Sequence, residues 1–458
     1  MTKRTLKLGL VTTGVGGPGQ HNRWLDPNIP ADASVDVDWY IEQVRKAEAA
    51  KFDFVFIVDS QYITKDSPPH YLNRLEPLTL LSALAVATSH IGLVGTLTTS
   101  FNSPFNLARR LASLDLISKG RAGWNVVTSG DPGAAGNFGL DEHYDYETRY
   151  GRAFEYLDVV QGLWRSYEDD AFVRNRETGV FLDPDKLHTL NHKGKYFSVI
   201  GPLNLQRSPQ GQPVIFQAGD SDQGRNLGAQ TADAIFTHAA SIEAGAAFKQ
   251  DITQRAVAAG RGPGDVLILP GVSIYVGDTD EDAARIEQET RRADTSFELA
   301  LAEFGRSFGW HDFRQYDLDA PFPVEALEHA RRSFFTQAQR IVQLATEGGL
   351  TLRQTVESIA ASHKSPFTGS ADTVAGEIIR WFEAGALDGL NVMLGHPDQF
   401  DRFVNEVVPI LQARGVYRTD YDDTTLRGNL GLPTPTNIRT PAALAEPAGR
   451  EERTLVNS

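Results

Sequence analysis

The 458-residue chain contains no cysteine, which excludes disulfides, thiolate nucleophiles and thiolate metal sites. It is also short of positive charge: 44 Lys and Arg stand against 59 Asp and Glu, a formal net charge of −15. Such a balance leaves no basic face for a nucleic acid or an anionic membrane. No uninterrupted apolar run is long enough to span a bilayer, and the basic start Met1-Thr2-Lys3-Arg4 leads straight into a strand-like segment without the apolar stretch of a signal peptide. These absences predict a cytoplasmic protein that acts on a small molecule. No triad and no metal-ligand cluster stands out either, so no metal is expected.

What is present is an ordinary globular composition, 41% hydrophobic and 22% charged. Short apolar runs at 6–11, 52–58, 91–97, 124–129, 214–217, 234–238, 266–276 and 389–394 read as strands. Helical periodicity falls between them, at 37–50, 78–88, 107–117, 150–164 and 223–231. This alternation implies parallel strands with crossover helices and a count approaching eight. The expected fold is α/β, a (β/α)8 TIM barrel, rather than an open doubly wound sheet. The barrel domain is expected over 1–430, with insertions at about 169–211 and 291–366 and an extended proline-containing tail at 431–458. Long barrel insertions form lids or oligomer contacts. The aromatics from Phe304 to Phe335 predict a lid with an apolar lining.

Gly14-x-Gly16-x-x-Gly19 matches a dinucleotide-binding fingerprint, but Pro18, Pro27 and Pro30 lie where the helix of such a site must begin. It is read as a loop. The segment from Gly95 to Ser129 carries more information. Thr96 and Thr98 close one strand, Leu107, Leu111, Leu114 and Ile117 recur at helical spacing, and Asn125 lies on the next strand, pointing opposite to Trp124. Polar groups at the C-terminal ends of successive strands gather at the mouth of an α/β barrel, where its active site lies. Asp59 ends the second strand, and Ser221 precedes a helix whose free N–H groups suit a phosphate, or which it simply caps. Carboxylate pairs such as Asp141/Glu142 and Asp169/Asp170 would serve a barrel hydrolase, but their charged surroundings read as solvated surface.

Arg121-Ala122-Gly123-Trp124-Asn125-Val126-Val127-Thr128-Ser129 closely resembles a signature of the bacterial-luciferase-like flavin monooxygenases, in the branch that holds nitrilotriacetate monooxygenase component A and dibenzothiophene sulfone monooxygenase. The resemblance continues through Gln217-Ala218-Gly219-Asp220-Ser221 and through the last helices and strand, Gly369 to Gln412, so that it covers nearly the whole chain. It implies a two-component enzyme that takes reduced FMN (FMNH2) from a separate NAD(P)H:FMN reductase and uses O2 to oxidise a small organic substrate, with a homodimeric or homotetrameric assembly. It places Asp59, Thr96, Thr98, Asn125, Tyr146, Tyr150 and Ser221 against the flavin, and His21, His143 and Tyr146 as catalytic candidates. Two positions depart from the pattern. Tyr146 replaces the histidine of His-x-x-Arg-Tyr, with His143 one turn upstream as a substitute or a solvated loop residue. Leu25 replaces the arginine that commonly follows Trp24, leaving Arg23 either to pair with an anionic substrate or to lie on a mobile surface loop. A non-catalytic flavin-binding relative is the alternative reading.

Overall fold

The computed structural model describes residues 4–17, 19–294, 296–361 and 365–439. Eight parallel strands close a barrel: β1 Lys7–Val11, β2 Phe54–Ile57, β3 Gly92–Thr98, β4 Ala122–Val127, β5 Val214–Gln217, β6 Ala234–Thr237, β7 Leu267–Val272 and β8 Gly389–Met393. Each strand pairs with its neighbours in the sequence, and β1 pairs with β8 to close the ring. The crossovers are α1 Val37–Ala49, α2 Pro77–Ala87, α3 Pro104–Ile117, α4 Tyr146–Trp164, α5 Asp222–Thr231, α6 Ile242–Ala258 and α7 Ala371–Glu383. The (β/α)8 expectation holds.

Strand alternation explains why the apolar runs are nearly continuous. In β2, Phe54 and Phe56 join Val11, Val94, Val214 and Phe216 inside the barrel, whereas Val55 and Ile57 face outward beneath the helices. Both faces are buried, as a parallel barrel requires. Gly9 makes room for the Phe54 ring, which a Cβ at that position would strike.

The expected strand over 266–276 divides. Its first part, β7, stays in the barrel, and Tyr275–Gly277 leaves it to pair with Thr368–Ser370 in a separate two-stranded sheet. Both pieces are apolar and buried, so composition alone showed no break. Helix α4 starts four residues before the periodicity, at Tyr146, because the Asp145 side chain accepts from the Thr148 N–H at 2.8 Å.

The N-terminal end of the barrel is plugged by the chain's C-terminal segment. Leu426, Leu430 and Leu432 pack into the interior cluster, and ion pairs join Arg418 to Asp53 at 2.6 Å and Arg427 to Asp233 at 2.9 Å. The segment expected as a free arm from 431 thus begins inside the fold; Asn437 is fully buried and donates to the Tyr167 carbonyl at 2.7 Å. The remainder of that arm, 440–458, lies outside the described residues.

The 291–366 insertion is helical, with Phe297–Arg306, Phe335–Gly348 and Leu352–Ala361. Phe304, Phe308, Phe313 and Phe322 pack on one another in a small core of its own. These four rings are therefore directed inward, whereas Phe334 against Gly130 and Trp310 against Tyr71 face the barrel together with polar side chains of the same segment. The 169–211 insertion holds one short hairpin, His192–Lys193 with Ser198–Val199, and a single turn of 3-10 helix at Pro184–Lys186. Among the described residues no helix is long and apolar enough to cross a membrane.

Candidate functional site

The C-terminal ends of the strands bring most of the expected residues to one end of the barrel. On β3 and β4 the inward polar side chains are Thr96, Thr98 and Asn125. Asn125 Nδ2 donates to Thr96 Oγ1 at 3.0 Å, while Asn125 Oδ1 is buried with no partner. Ser129 Oγ donates to Thr98 Oγ1 at 2.8 Å. Trp124 points the other way, donating from Nε1 to the Leu97 carbonyl and packing on Tyr156 and Trp164.

A second group forms at the start of α5. Gly219 and Gly224 make the turn tight: a Cβ on Gly219 would strike Gln217 Nε2 and lie 3.1 Å from Gly224 Cα. That turn sets Ser221 as the N-cap of α5, its Oγ accepting from the Gly224 N–H at 3.1 Å. The Tyr150 hydroxyl lies 3.3 Å from Ser221 Oγ, and the Tyr146 ring packs on Tyr150 at 4.9 Å. Burial holds the Tyr146 phenol above its ordinary value, so it stays protonated at neutral pH. Two hydroxyls and a helix N-terminus thus stand together.

Asp59 sits just beyond β2. Burial pushes its carboxyl up to about 6, with Arg74 opposing the rise.

His143 is not a solvated loop residue. It is 4% exposed, its Nε2 lies 3.0 Å from the Ser129 carbonyl, and its Nδ1 is buried without a partner. Burial lowers its pKa and favours the neutral ring. The same carbonyl accepts from Arg149, and Ser129 holds a left-handed backbone, φ 54°. Arg23 fits neither expectation. It is 2% exposed and is consumed by Asp294 at 2.8 Å and the Leu394 carbonyl at 2.9 Å. The acidic pairs proposed for a hydrolase are exposed and form surface ion pairs: Glu142 with Arg332, Asp169 with Arg207 and Asp170 with Lys186.

A third group joins the candidate His21 to partners that the sequence did not connect with it. His21 Nε2 lies 2.7 Å from Glu303 Oε2, a residue of the 291–366 insertion, and the same oxygen accepts from the Gly19 N–H at 3.0 Å. Burial pushes the Glu303 carboxyl up, but the bond from His21 and the neighbouring imidazoles hold it below its ordinary value. Beside it, Arg306 pairs with Asp131 at 3.3 Å and Trp310 Nε1 donates to Asp131 at 3.1 Å. The insertion therefore closes one side of the barrel mouth with charged groups.

A profile described as luciferase-like monooxygenase matches residues 16–388. The chain belongs to that family. The luciferase-like chain is 42% identical over 439 residues to the N-acetyl-S-(2-succino)cysteine monooxygenase of Bacillus subtilis (strain 168), covering 95% of this chain and 98% of the relative. It is 41% identical over 434 residues to nitrilotriacetate monooxygenase component A of Aminobacter aminovorans, covering 90% and 94%. Among solved structures it is similar to riboflavin lyase, crystallised with modified FMN and riboflavin, with TM-score 0.84, 32% identity and coverage of 96% and 99%. It is also similar to a long-chain alkane monooxygenase, with TM-score 0.82, 31% identity and coverage of 94% and 96%. The luciferase-like enzyme is thus an oxidoreductase of the flavin-dependent monooxygenase class, on the barrel fold that class uses.

Proposed function

We propose that this chain is the oxygenase of a two-component system: it binds reduced FMN delivered by a separate NAD(P)H:FMN reductase and uses O2 to oxidise a small organic substrate. The observation that carries the reading is Asn125 Oδ1, a buried acceptor at the barrel mouth that nothing in the protein satisfies. A flavin ring edge offers the N–H such an acceptor needs, and an unmet buried acceptor costs about 1–3 kcal/mol. The other residues fit the same ligand. Ser221, Tyr146 and Tyr150 offer hydroxyls beside the α5 N-terminus, where backbone N–H groups and the helix dipole favour a phosphate. Thr96 and Thr98 line the barrel interior next to Asn125, and Asp59 offers a carboxyl that carries a proton over part of the neutral range.

Reduced flavin, when bound, supplies the electrons with which dioxygen is converted into an oxidant of the substrate. The protein's own residues bind and shield. Asn125, Thr96 and Thr98 hold one end of the ligand while Ser221, Tyr146 and Tyr150 hold the other. Helix Phe297–Arg306 covers the mouth and limits water, and the hydrogen bond between His21 Nε2 and Glu303 Oε2 keeps a proton poised there. His143, donating from Nε2 to the Ser129 carbonyl, orients the end of β4. We assign His21, His143 and Tyr146 to the proton-handling side of the site, and Asp59, Thr96, Thr98, Asn125, Tyr146, Tyr150 and Ser221 to cofactor binding.

The relatives named for N-acetyl-S-(2-succino)cysteine and nitrilotriacetate support a small, polar organic substrate, and the designation component A supports a separate reductase. The same reading places one barrel domain with its insertions as lids in a cytoplasmic homodimer or homotetramer. The test is reconstitution with a generic FMN reductase, NADH, O2 and a product screen by mass spectrometry. Substrate-dependent gain of one oxygen atom is expected. Oxygen uptake no different from reductase and FMN alone would sink the proposal.

A further inference from the structure

The loop after β2 carries a group that the flavin reading leaves unused. His70 is 2% exposed, and both its ring nitrogens are buried without a hydrogen-bond partner. A neutral imidazole has one donor and one acceptor, so leaving both unmet is costly unless a ligand or water completes the site. Burial keeps the ring neutral, its pKa pushed down to about 3. The His21 ring lies parallel to it with centroids 6.2 Å apart.

The charges around His70 are unequally matched. Glu303 is taken up by His21 and Gly19, and Arg306 by Asp131. Arg74 has no such partner. Its Nε and Nη2 both donate to the His70 carbonyl, the first at 3.0 Å, and its guanidinium lies 5.0 Å from the Tyr71 ring centre. Among the described residues it forms no ion pair with a carboxylate. Asp59 acts on it only through space, with no hydrogen bond or ion pair between the two side chains. A half-buried guanidinium in this state favours an incoming anion, and its planar fork matches a carboxylate.

We propose that Arg74 and His70 form a carboxylate-binding subsite, so that the substrate is a small organic acid whose carboxylate pairs with Arg74 and accepts a hydrogen bond from the His70 ring. Helix Phe297–Arg306 roofs the subsite through Glu303 and Arg306, so the acid enters when that helix lifts. The inference rests on the barrel mouth being the substrate site of a flavin monooxygenase.

The experiment is calorimetric titration of the full chain, with and without FMN, using succinate, tricarballylate and nitrilotriacetate and their methyl esters as probes. At least one acid is expected to bind tenfold or more tightly than its ester. Arg74→Gln should abolish that preference, Arg74→Lys should restore most of it, and His70→Phe should weaken the acid several-fold, all with FMN affinity kept. Acids that bind no better than esters, no binding by any probe, or a preference that survives Arg74→Gln would overturn the subsite. Acid preference that is lost in Arg74→Gln in a protein that binds no FMN would instead support the subsite and overturn the flavin reading.

Discussion

The two ends of the barrel differ in how completely their buried charged and ring groups are paired. At the floor, the carboxylates of the buried Asp53 and the half-buried Asp233 are held by Arg418 and Arg427. The two guanidinium Nε atoms and Asp115 Oδ2 are left without partners beside them among the described residues, and the leucines of the C-terminal segment fill the remaining space. At the mouth, Asn125 Oδ1, His143 Nδ1 and both nitrogens of His70 are left without partners, and Arg74 has no counter-ion paired with it, among the described residues. Each unmet group lowers stability, and an imidazole with neither nitrogen paired beside an unpaired guanidinium is the larger cost, one that a ligand at the mouth would offset. The floor is built to hold the barrel closed and the mouth to hold something else, the division of labour expected of a TIM barrel.

The comparison breaks if floor substitutions impair ligand binding or mouth substitutions impair folding. The largest effect is expected at the floor. Arg418→Met strands Asp53, which is fully buried, and should cost about 3–5 kcal/mol in urea unfolding while the folded fraction binds FMN normally. Next comes Asp59. Its carboxyl is raised from 3.8 to about 6, so the folded state holds a proton that the unfolded chain releases earlier. The stability this contributes is full below about 4 and lost as pH rises through about 6, at most about 3 kcal/mol over the two units at about 1.4 kcal/mol each. Asp59→Asn should flatten the unfolding free energy of the apo protein over that interval; an unchanged pH slope would show that Asp59 is not the buried acid described.

Smaller and more specific is Asn125→Leu, which removes the orphan acceptor. It should weaken reduced FMN by about 1–3 kcal/mol, roughly 5- to 150-fold, with little change in melting temperature. Smallest in stability is Ser221→Ala, a lost cap worth about 1 kcal/mol. Its value lies in a contrast: FMN should weaken markedly and riboflavin hardly at all, since only FMN carries the phosphate. Equal losses for the two flavins would remove Ser221 from the phosphate end.

What the sequence revealed follows the range of the interactions involved. Thr96, Thr98 and Asn125 were readable because strand alternation fixes which side chains face inward. Ser221 was readable because a glycine-bracketed serine before a helix is a local signal. The C-terminal plug was missed: nothing in Leu426 or Leu432 states that they fill a barrel, and Gly92, which Leu426 packs against, lies 334 positions away (426 − 92). His21 and Glu303, separated by 282 positions, meet only because the insertion folds back on the mouth. His143 looked like a surface histidine because the loop around it is polar, and its burial depends on Phe101, Ser129 and Arg149 from other elements. Arg23 misled for the same reason, as its partner Asp294 lies 271 positions away, at the end of the helix Asp280–Asp294 that leads into the insertion.

The most direct test of the division between floor and mouth is anaerobic titration of the apo protein with FMNH2, comparing the natural chain, Asn125→Leu, Ser221→Ala and the floor variant Leu426→Ala. The account predicts one saturable site per chain, weakened by both mouth substitutions and untouched by Leu426→Ala, although the last should lower stability by about 2–5 kcal/mol. No saturable binding, or a loss in Leu426→Ala equal to that in Asn125→Leu, would contradict it.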